Sequence, residues 1–346
     1  MGGFFWLIDS QEHCMQIAII GAGLSGLTCA RQLLEQGCQV TVFEKSHNVS
    51  GRMSTRQTEL GGFDHGAQYF TAQSPAFKKA VAAWTKAGWV APWKGRLVTL
   101  DNGKSKPAGA NGGGVRHVGV PGMREIGVQM AHELDVRVAQ RVERIEQLGK
   151  QWLLIVQSDT VPISATAGPF DAVVVAAPAD QAAGLLHVAP ALAEQAASTR
   201  LAPCWSLMLA FQESLELGFD GAWVNGSRLA WLAHDASKPG RRPGEHWVGH
   251  AAVAWSVEHL EDDPERAKEK LLKAFHEATN THVQPVYAAV HRWRYAQAAQ
   301  PLAGDCLWDE ALRIGACGDW FSAGLDGAGR IENAWLSGAA MAQRLT

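Results

Sequence analysis

Residues 16–45 read QIAIIGAGLSGLTCARQLLEQGCQVTVFEK, and the order of types within them decides the fold. Residues 16–20 are a short β-branched apolar run of the kind that fills a strand buried on both faces. GAGLSG then opens a helix, in which Leu24, Leu27 and Leu33 recur at helical spacing. Gly37 offers a stop, and residues 39–44 read as a second strand ending at Glu44. The unit is βαβ. Gly21 permits the tight turn, Gly23 lets the backbone approach a pyrophosphate, and Gly26 lets helix and strand pack closely. Leu24 and Ser25 lie at the helix start, where unpaired N–H groups and the helix dipole favour negative charge. Glu44, 23 residues after Gly21, is in register to accept hydrogen bonds from ribose hydroxyls, with Lys45 beside it. This much fits NAD or FAD. Downstream, Gly51, Arg52 and Met53 put an arginine close enough to fold back on a pyrophosphate as a permanent cation, which favours FAD.

Working outward, the 346-residue chain is 47% hydrophobic and 19% charged, as expected of a globular protein with a core large enough for two lobes. With 31 basic against 34 acidic residues and no long single-sign run, it has no electrostatic footprint for nucleic acid or an anionic membrane, so a small molecule is the expected partner. Six cysteines form no CxxC pair and read as free thiols in a reducing, cytoplasmic setting. Residues 1–14 lack the features of a signal peptide and read as a peripheral extension, with the start at Met1 or Met15 left open. No segment has the run of apolar residues that a membrane helix needs.

The stretches GRMST (51–55), GAQYFTA (66–72), PGM (121–123), VVVAAPA (173–179), HRWRYA (291–296), CGDW (317–320) and GRIENAWLSG (329–338) run in the order found in the renalase branch of the flavin amine oxidase superfamily, and the chain resembles bacterial renalase-like proteins from Met15 onward. Two positions depart from that pattern: Ser50 stands for the first of a glycine pair, and Asn333 for a glycine. The resemblance implies noncovalent FAD. It assigns Ala67 and Gln68 to the cofactor, Val142 to the adenine through its backbone, with core packing the equal alternative, and Gly318 and Asp319 to a second fingerprint in which the acid accepts from a ribityl hydroxyl. Pro178 ends a third buried strand near the cofactor. Residues 331–345 read as a final helix with Ala334, Leu336, Ala340 and Met341 inward, and Ile331, Asn333 and Ala334 at a start that faces the flavin pyrimidine.

Between the nucleotide segments the texture turns strand-like, with an Asn225-Gly226 hairpin signal and a helix opening at Pro264. The expected architecture is therefore α/β: a Rossmann-like FAD-binding domain (15–85, 118–180 and 303–346) with an inserted antiparallel-sheet substrate domain (86–117 and 181–302). SKPGRRPG (237–244) reads as an exposed loop. Most of the 14 tryptophans read as core.

By resemblance the reaction is oxidation of isomeric 2- or 6-dihydro forms of NAD(P)H to NAD(P)+, with O2 reduced to H2O2. Tyr69, Phe70, Thr71 and Ala72 would line the ring site, Cys204 would lie in a substrate-contact region, and Arg330 would be the cation that meets substrate. Trp293, Tyr295 and His250 are the catalytic candidates; a core histidine is the alternative for His250. No metal site, catalytic serine or catalytic cysteine competes. Two other readings stand beside this one: an amine or carbon–carbon oxidase on the same fold, and a flavoprotein that binds a partner without turnover.

Overall fold

The computed structural model describes residues 14–101, 103–107, 114–158, 161–323 and 330–346, with the side chains of 161–163 and 330 outside the description. β1 (Gln16–Ile20) lies inside a six-stranded sheet, paired in parallel with β2 (Gln39–Phe43) on one side and with Ala172–Val175 on the other. Asp135–Arg137 extends the sheet beyond β2, and Ile314–Ala316 and Leu307–Asp309 extend it the other way. Only this last pair is antiparallel.

Period-two alternation sends successive side chains to opposite faces, so the sheet feeds two cores. Ile17, Ile19, Val42 and Val174 meet Leu27 and Leu33 of α1 (Leu24–Glu35) and Met341 of the C-terminal helix Arg330–Arg344. Ala18, Ile20, Phe43, Val173 and Val175 meet Trp152, Leu154 and Trp320. Each fully buried aliphatic side chain of this set contributes about 1.5–3 kcal/mol. The buried positions of these strands are apolar because neither face reaches water, and their polar residues, Gln16, Gln39 and Thr41, fall where the strand is exposed or half-buried.

The second face is covered by a three-stranded antiparallel sheet, Gln140–Leu148, Gln151–Ser158 and Val161–Phe170, which the sequence reading did not resolve. Helices Ala179–Leu185 and Pro190–Ala197 also pack here, through Ala182, Leu186, Leu192 and Ala196. We therefore place the crossing into the second lobe near residue 200 rather than at 180.

That lobe is a seven-stranded sheet in the order Tyr287–Ala298, Leu201–Phe211, Glu245–Ala251, Leu229–His234, Gly221–Asn225, Leu97–Asp101, Lys104–Pro107. It is mixed rather than antiparallel: Leu97–Asp101 and Gly221–Asn225 run parallel, because the chain passes through the nucleotide domain between them. The Asn225-Gly226 hairpin forms as expected, with Gly226 at φ 64°. Helix Pro264–Thr279 begins where proline fixes its first turn; Asp263 accepts N–H bonds from Glu265 and Arg266, and Asn280 ends it at φ 52°.

Two strands are shorter than expected. β2 ends at Phe43, and Glu44 donates its N–H to the Arg137 carbonyl at 2.9 Å. The third strand ends at Val175; Pro178 has no N–H for a ladder and instead caps the next helix, its carbonyl accepting from Gln181 and Ala182.

Candidate cofactor and substrate site

The Gly-rich turn has the geometry its glycines allow. Gly21 sits at φ 114° and donates to the Phe43 carbonyl at 2.8 Å; a Cβ there would meet the Ala176 carbonyl oxygen at 2.5 Å. A Cβ on Gly26 would meet the Gly21 oxygen at 2.1 Å, so the helix can seat on the turn only with glycine. Gly23, by contrast, would place a Cβ in open space. It is the N-cap of α1, with no side-chain cap and no acid in the first turn, so the helix start is left to an external anion.

Glu44 is buried, one oxygen accepting from Ala22 N–H at 2.9 Å and the other from Ser46 N–H at 2.8 Å. Two amides fix the carboxylate, and its remaining lone pairs are available to a ribose. Ser50, the first departure from the family pattern, takes φ 88° and donates its hydroxyl to the Arg124 carbonyl at 2.6 Å, so the loop keeps a left-handed residue without the glycine. Gly51 follows at φ 51° against Gly23.

Arg52 is engaged within the protein. Its guanidinium grips Asp319 with two bonds of 2.9 and 2.7 Å, and reaches the Ala296 carbonyl at 3.3 Å. The two fingerprints thus meet as one fork-on-fork pair, whose carboxylate retains acceptor capacity. Met53 is buried beneath it, and Ala67 donates to the Arg52 carbonyl at 2.9 Å. Gly318 donates to the Ser337 hydroxyl at 3.0 Å, which ties the second fingerprint to the C-terminal helix. Val142 packs in the core that holds Phe43, and Lys45 is exposed and donates to Gln181 at 3.0 Å.

The C-terminal helix buries a different face from the one expected. Ala334, Leu336 and Ala340 are only half-buried, whereas Glu332, Asn333 and Ser337 are buried alongside Ile331 and Met341. Glu332 accepts from the amides of Gln73 (2.8 Å) and Ser74 (2.7 Å), clamping the segment that follows Ala72. Asn333 has a buried Oδ1 with no hydrogen-bond partner among the described residues. The open helix start, the half-used Glu44 and this orphaned acceptor all fit FAD: its pyrophosphate oxygens would accept from the helix N–H groups, and its hydroxyl and N–H donors would satisfy Glu44 and Asn333. The Arg330 side chain lies outside the described residues.

One face of the seven-stranded sheet carries the substrate candidates. Directly opposite residues share a face, so His291, Ser206, His250, Trp231 and Trp223 form a row across five strands, with Cys204 opposite Trp293 in the next row. The segment 64–72 of the nucleotide domain lies against them. His65 stacks on Trp293 with centroids 5.2 Å apart and meets His291 edge-on at 4.9 Å. The His65 carbonyl accepts from Trp293 Nε1 at 3.0 Å and lies 3.3 Å from His250 Nε2. Tyr69 is near Trp231 (5.6 Å) and Trp93 (6.1 Å). Burial, then His291, pushes His65 down to about 3; burial, then Arg56, pushes His291 down to about 4. Both imidazoles are neutral at pH 7.

Three candidates fall differently. Phe70 is buried against Phe77 and His117, in the core rather than on a ring site. Tyr295 is half-buried, and its side chain makes no ring contact or hydrogen bond among the described residues. Gln68 spends its amide on protein: Lys238 Nζ donates to its oxygen at 3.3 Å, and its nitrogen donates to the carbonyls of Asp64 and Gly66.

This Gln68 contact belongs to a buried charge cluster that sequence reasoning missed. Lys238 and Arg241, on the loop read as exposed, are both buried. Lys238 pairs with Asp235 and, at 3.4 Å, with Asp64; Arg241 also pairs with Asp64 and donates to the Gly119 carbonyl. Thr55 donates to Asp64 at 2.6 Å and Met123 N–H at 3.0 Å. Burial resists the Asp64 charge, but Lys238 and Arg241 outweigh it and hold its carboxyl below the usual range; burial and the adjacent Asp64 push Asp235 up. The Lys-Pro-Gly-Arg spacing put two cations on one turn and Asp235 lies three residues before Lys238, but nothing local named Asp64.

All six cysteines are free, and burial pushes the Cys317 thiol up to about 12, so it is inert as a nucleophile. Cys204 is half-buried in the strand. Among the described residues there is no group of metal ligands, and no helix is long and apolar enough to cross a membrane. Two open clefts of about 620 and 630 Å³ lie at the Asn225–Arg228 hairpin and at Gln147–Gln151, away from this site.

Residues 19–84 match the NAD(P)-binding Rossmann-like domain, and residues 101–346 match the flavin containing amine oxidoreductase family. The chain belongs to that family. Its fold is also that of a provisional protoporphyrinogen oxidase from Exiguobacterium sp. 255-15 (TM-score 0.74, 12% identity, 95% of this chain and 98% of that one). A putrescine oxidase redesigned in its cofactor binding is similar as well (TM-score 0.69, 14% identity, 96% and 99%). In sequence, 52 residues are 48% identical to a 4,4'-diapophytoene desaturase of Staphylococcus aureus (strain Newman), 15% of this chain but only 10% of the desaturase. Family members are FAD-dependent oxidoreductases, and FAD is the cofactor of this chain.

Proposed function

We propose that this flavin-containing family member is a renalase-like oxidase, which converts 2- or 6-dihydro isomers of NAD(P)H to NAD(P)+ and reduces O2 to H2O2. The observation that carries the reading is the weakness of the bases at the site. His65 and His291 are held neutral, with values of about 3 and 4, and Arg56 adds positive potential beside them. Among the described residues, the buried acids nearby are already occupied: Asp64 and Asp235 by Lys238 and Arg241, and Glu332 by two amides.

An amine arrives as an ammonium and must lose a proton before oxidation. Imidazoles this weak and a surplus of cations suit that poorly. A misplaced dihydronicotinamide needs no such base, because loss of hydride makes its ring aromatic, and its phosphates are anionic. When bound, FAD would supply the hydride acceptor and the route for the electrons to O2. The chain's own part is to orient the ring: Tyr69, Thr71 and Ala72 border the site, held by the Glu332 clamp, while Trp293 is fixed through the His65 carbonyl and packs by Gly66. His250 is the remaining candidate for proton transfer, Cys204 sits opposite Trp293, and Arg330 is the proposed substrate cation.

The amine oxidase reading is favoured by the aromatic group Tyr69, Trp93, Trp223 and Trp231, which resembles a cage for a cation. Aerobic incubation with each class separates the two. Equal yields of NAD(P)+ and H2O2 from the isomers support the proposal; H2O2 from amines alone replaces it.

A further inference from the structure

Arg116 stands apart from the other basic residues around the site. It is half-buried, and its guanidinium lies 5.8 Å from the centre of the Tyr69 ring, with no acid within ion-pair distance among the described residues. Its position is not accidental. The Arg116 carbonyl accepts from Trp93 N–H at 2.7 Å, and the next residue, His117, exchanges two backbone bonds with Phe70 at 2.9 and 2.7 Å. The arginine is therefore pinned beside the segment that bears Tyr69, and packing on the ring lowers the cost of ordering a long side chain.

A second observation comes from the facing sheet. Trp231, 5.6 Å from Tyr69 between ring centres, is only 8% exposed, and its Nε1 has no hydrogen-bond partner among the described residues. An indole N–H only donates, so its missing partner is an acceptor. A buried donor left empty costs free energy, which points to a group that arrives from outside. The guanidinium (5.8 Å) and the indole (5.6 Å) both lie beside the Tyr69 ring and both carry N–H donors, so an oxygen-rich anion beside that ring would serve the two together.

We propose that Arg116, Tyr69 and Trp231 form an anion subsite that receives the phosphate of a dihydronicotinamide nucleotide. The proposal rests on the oxidase reading above. It makes the enzyme selective for phosphorylated over phosphate-free dihydronicotinamides, and it turns the aromatic group from an amine cage into one wall of a nucleotide site. Guanidinium is suited to the task because its planar donors meet two phosphate oxygens at once.

The test compares FAD-loaded parent, Arg116→Gln, Arg116→Lys and Trp231→Phe, each mixed anaerobically with a 2- or 6-dihydronicotinamide as its nucleotide and as its phosphate-free riboside. Loss of a charged hydrogen bond lowers the nucleotide-to-riboside ratio of second-order rates by about tenfold or more in Arg116→Gln, with part of the ratio kept by Arg116→Lys. Trp231→Phe keeps the ring and lowers the ratio by a smaller factor. An unchanged ratio in Arg116→Gln overturns the subsite while leaving the oxidase reading intact. If neither form reduces the parent flavin, the oxidase reading fails instead, and calorimetric binding of inorganic pyrophosphate to the FAD-loaded protein decides the subsite. Binding to the parent that is weakened about tenfold in Arg116→Gln supports it; equal binding, or none to the parent, overturns it.

Discussion

Glu44 shows how a single residue can be read from sequence and then sharpened by structure. Its distance from Gly21 marked it as a ribose acceptor; the two backbone amides that hold its oxygens show why it is preorganised. Glu44→Ala should weaken FAD binding by about 1.5–3 kcal/mol, measured by flavin release on dilution, and unchanged affinity would remove Glu44 from the site. Asn333 carries the opposite sign for the two states. Because its Oδ1 is orphaned in the protein alone, Asn333→Ala should leave apoprotein stability unchanged or higher while loosening FAD by about 0.5–1.5 kcal/mol. Equal losses in both would show that the amide is structural. The glycines and Glu44 were legible because their task is local backbone geometry. Arg52 was legible only as a cation near the cofactor, since its partner Asp319 lies 267 residues away.

The histidines give a pH dependence with a definite sign. His65 and His291 are depressed in the folded state to about 3 and about 4, against an ordinary value near 6.5. Between those limits the unfolded chain binds more protons, so the stability they contribute is fully present above pH 6.5 and is lost as pH falls toward 4 and then 3. The urea midpoint should therefore drop between pH 7 and pH 4.5, and His291→Gln should flatten that slope. A slope identical in mutant and parent would show that His291 does not remain neutral by burial.

Among the elements, the loop 237–244 departs furthest from its reading. Two prolines, two glycines and three cations in eight residues look like surface, yet Lys238 and Arg241 turn inward because Asp64 and Asp235 are already buried there. Removing one partner strands a buried charge, so Lys238→Met should cost about 3–5 kcal/mol of stability and loosen Gln68. A change below about 1 kcal/mol would place the loop back on the surface. By contrast β1, α1, β2, the Asn225 hairpin and the helix at Pro264 were readable, since each announces itself by periodicity, a cap or a turn residue. The parallel pair between Leu97–Asp101 and Gly221–Asn225 was not, because strand direction depends on partners more than a hundred residues apart.

Across the whole molecule, a parallel nucleotide sheet and a mixed second sheet are joined through segment 64–72, whose backbone touches Arg52 on one side and Trp293 on the other. The buried cluster under Gln68 and the Glu332 clamp hold that segment at both ends. Chemistry at such a junction is set by the groups its walls present, and here, among the described residues, these are the depressed imidazoles of His65 and His291 beside Arg56. The central claim is that this arrangement selects a misplaced dihydronicotinamide. Anaerobic rapid mixing of the FAD-loaded protein with 2-, 4- and 6-dihydro NAD(P)H and with simple amines, following loss of flavin colour, tests it most directly. The account predicts bleaching by the 2- or 6-isomer at least a hundredfold faster than by the 4-isomer or amines, about 2.7 kcal/mol in barrier; fast bleaching by amines, with none by the isomers, would contradict it.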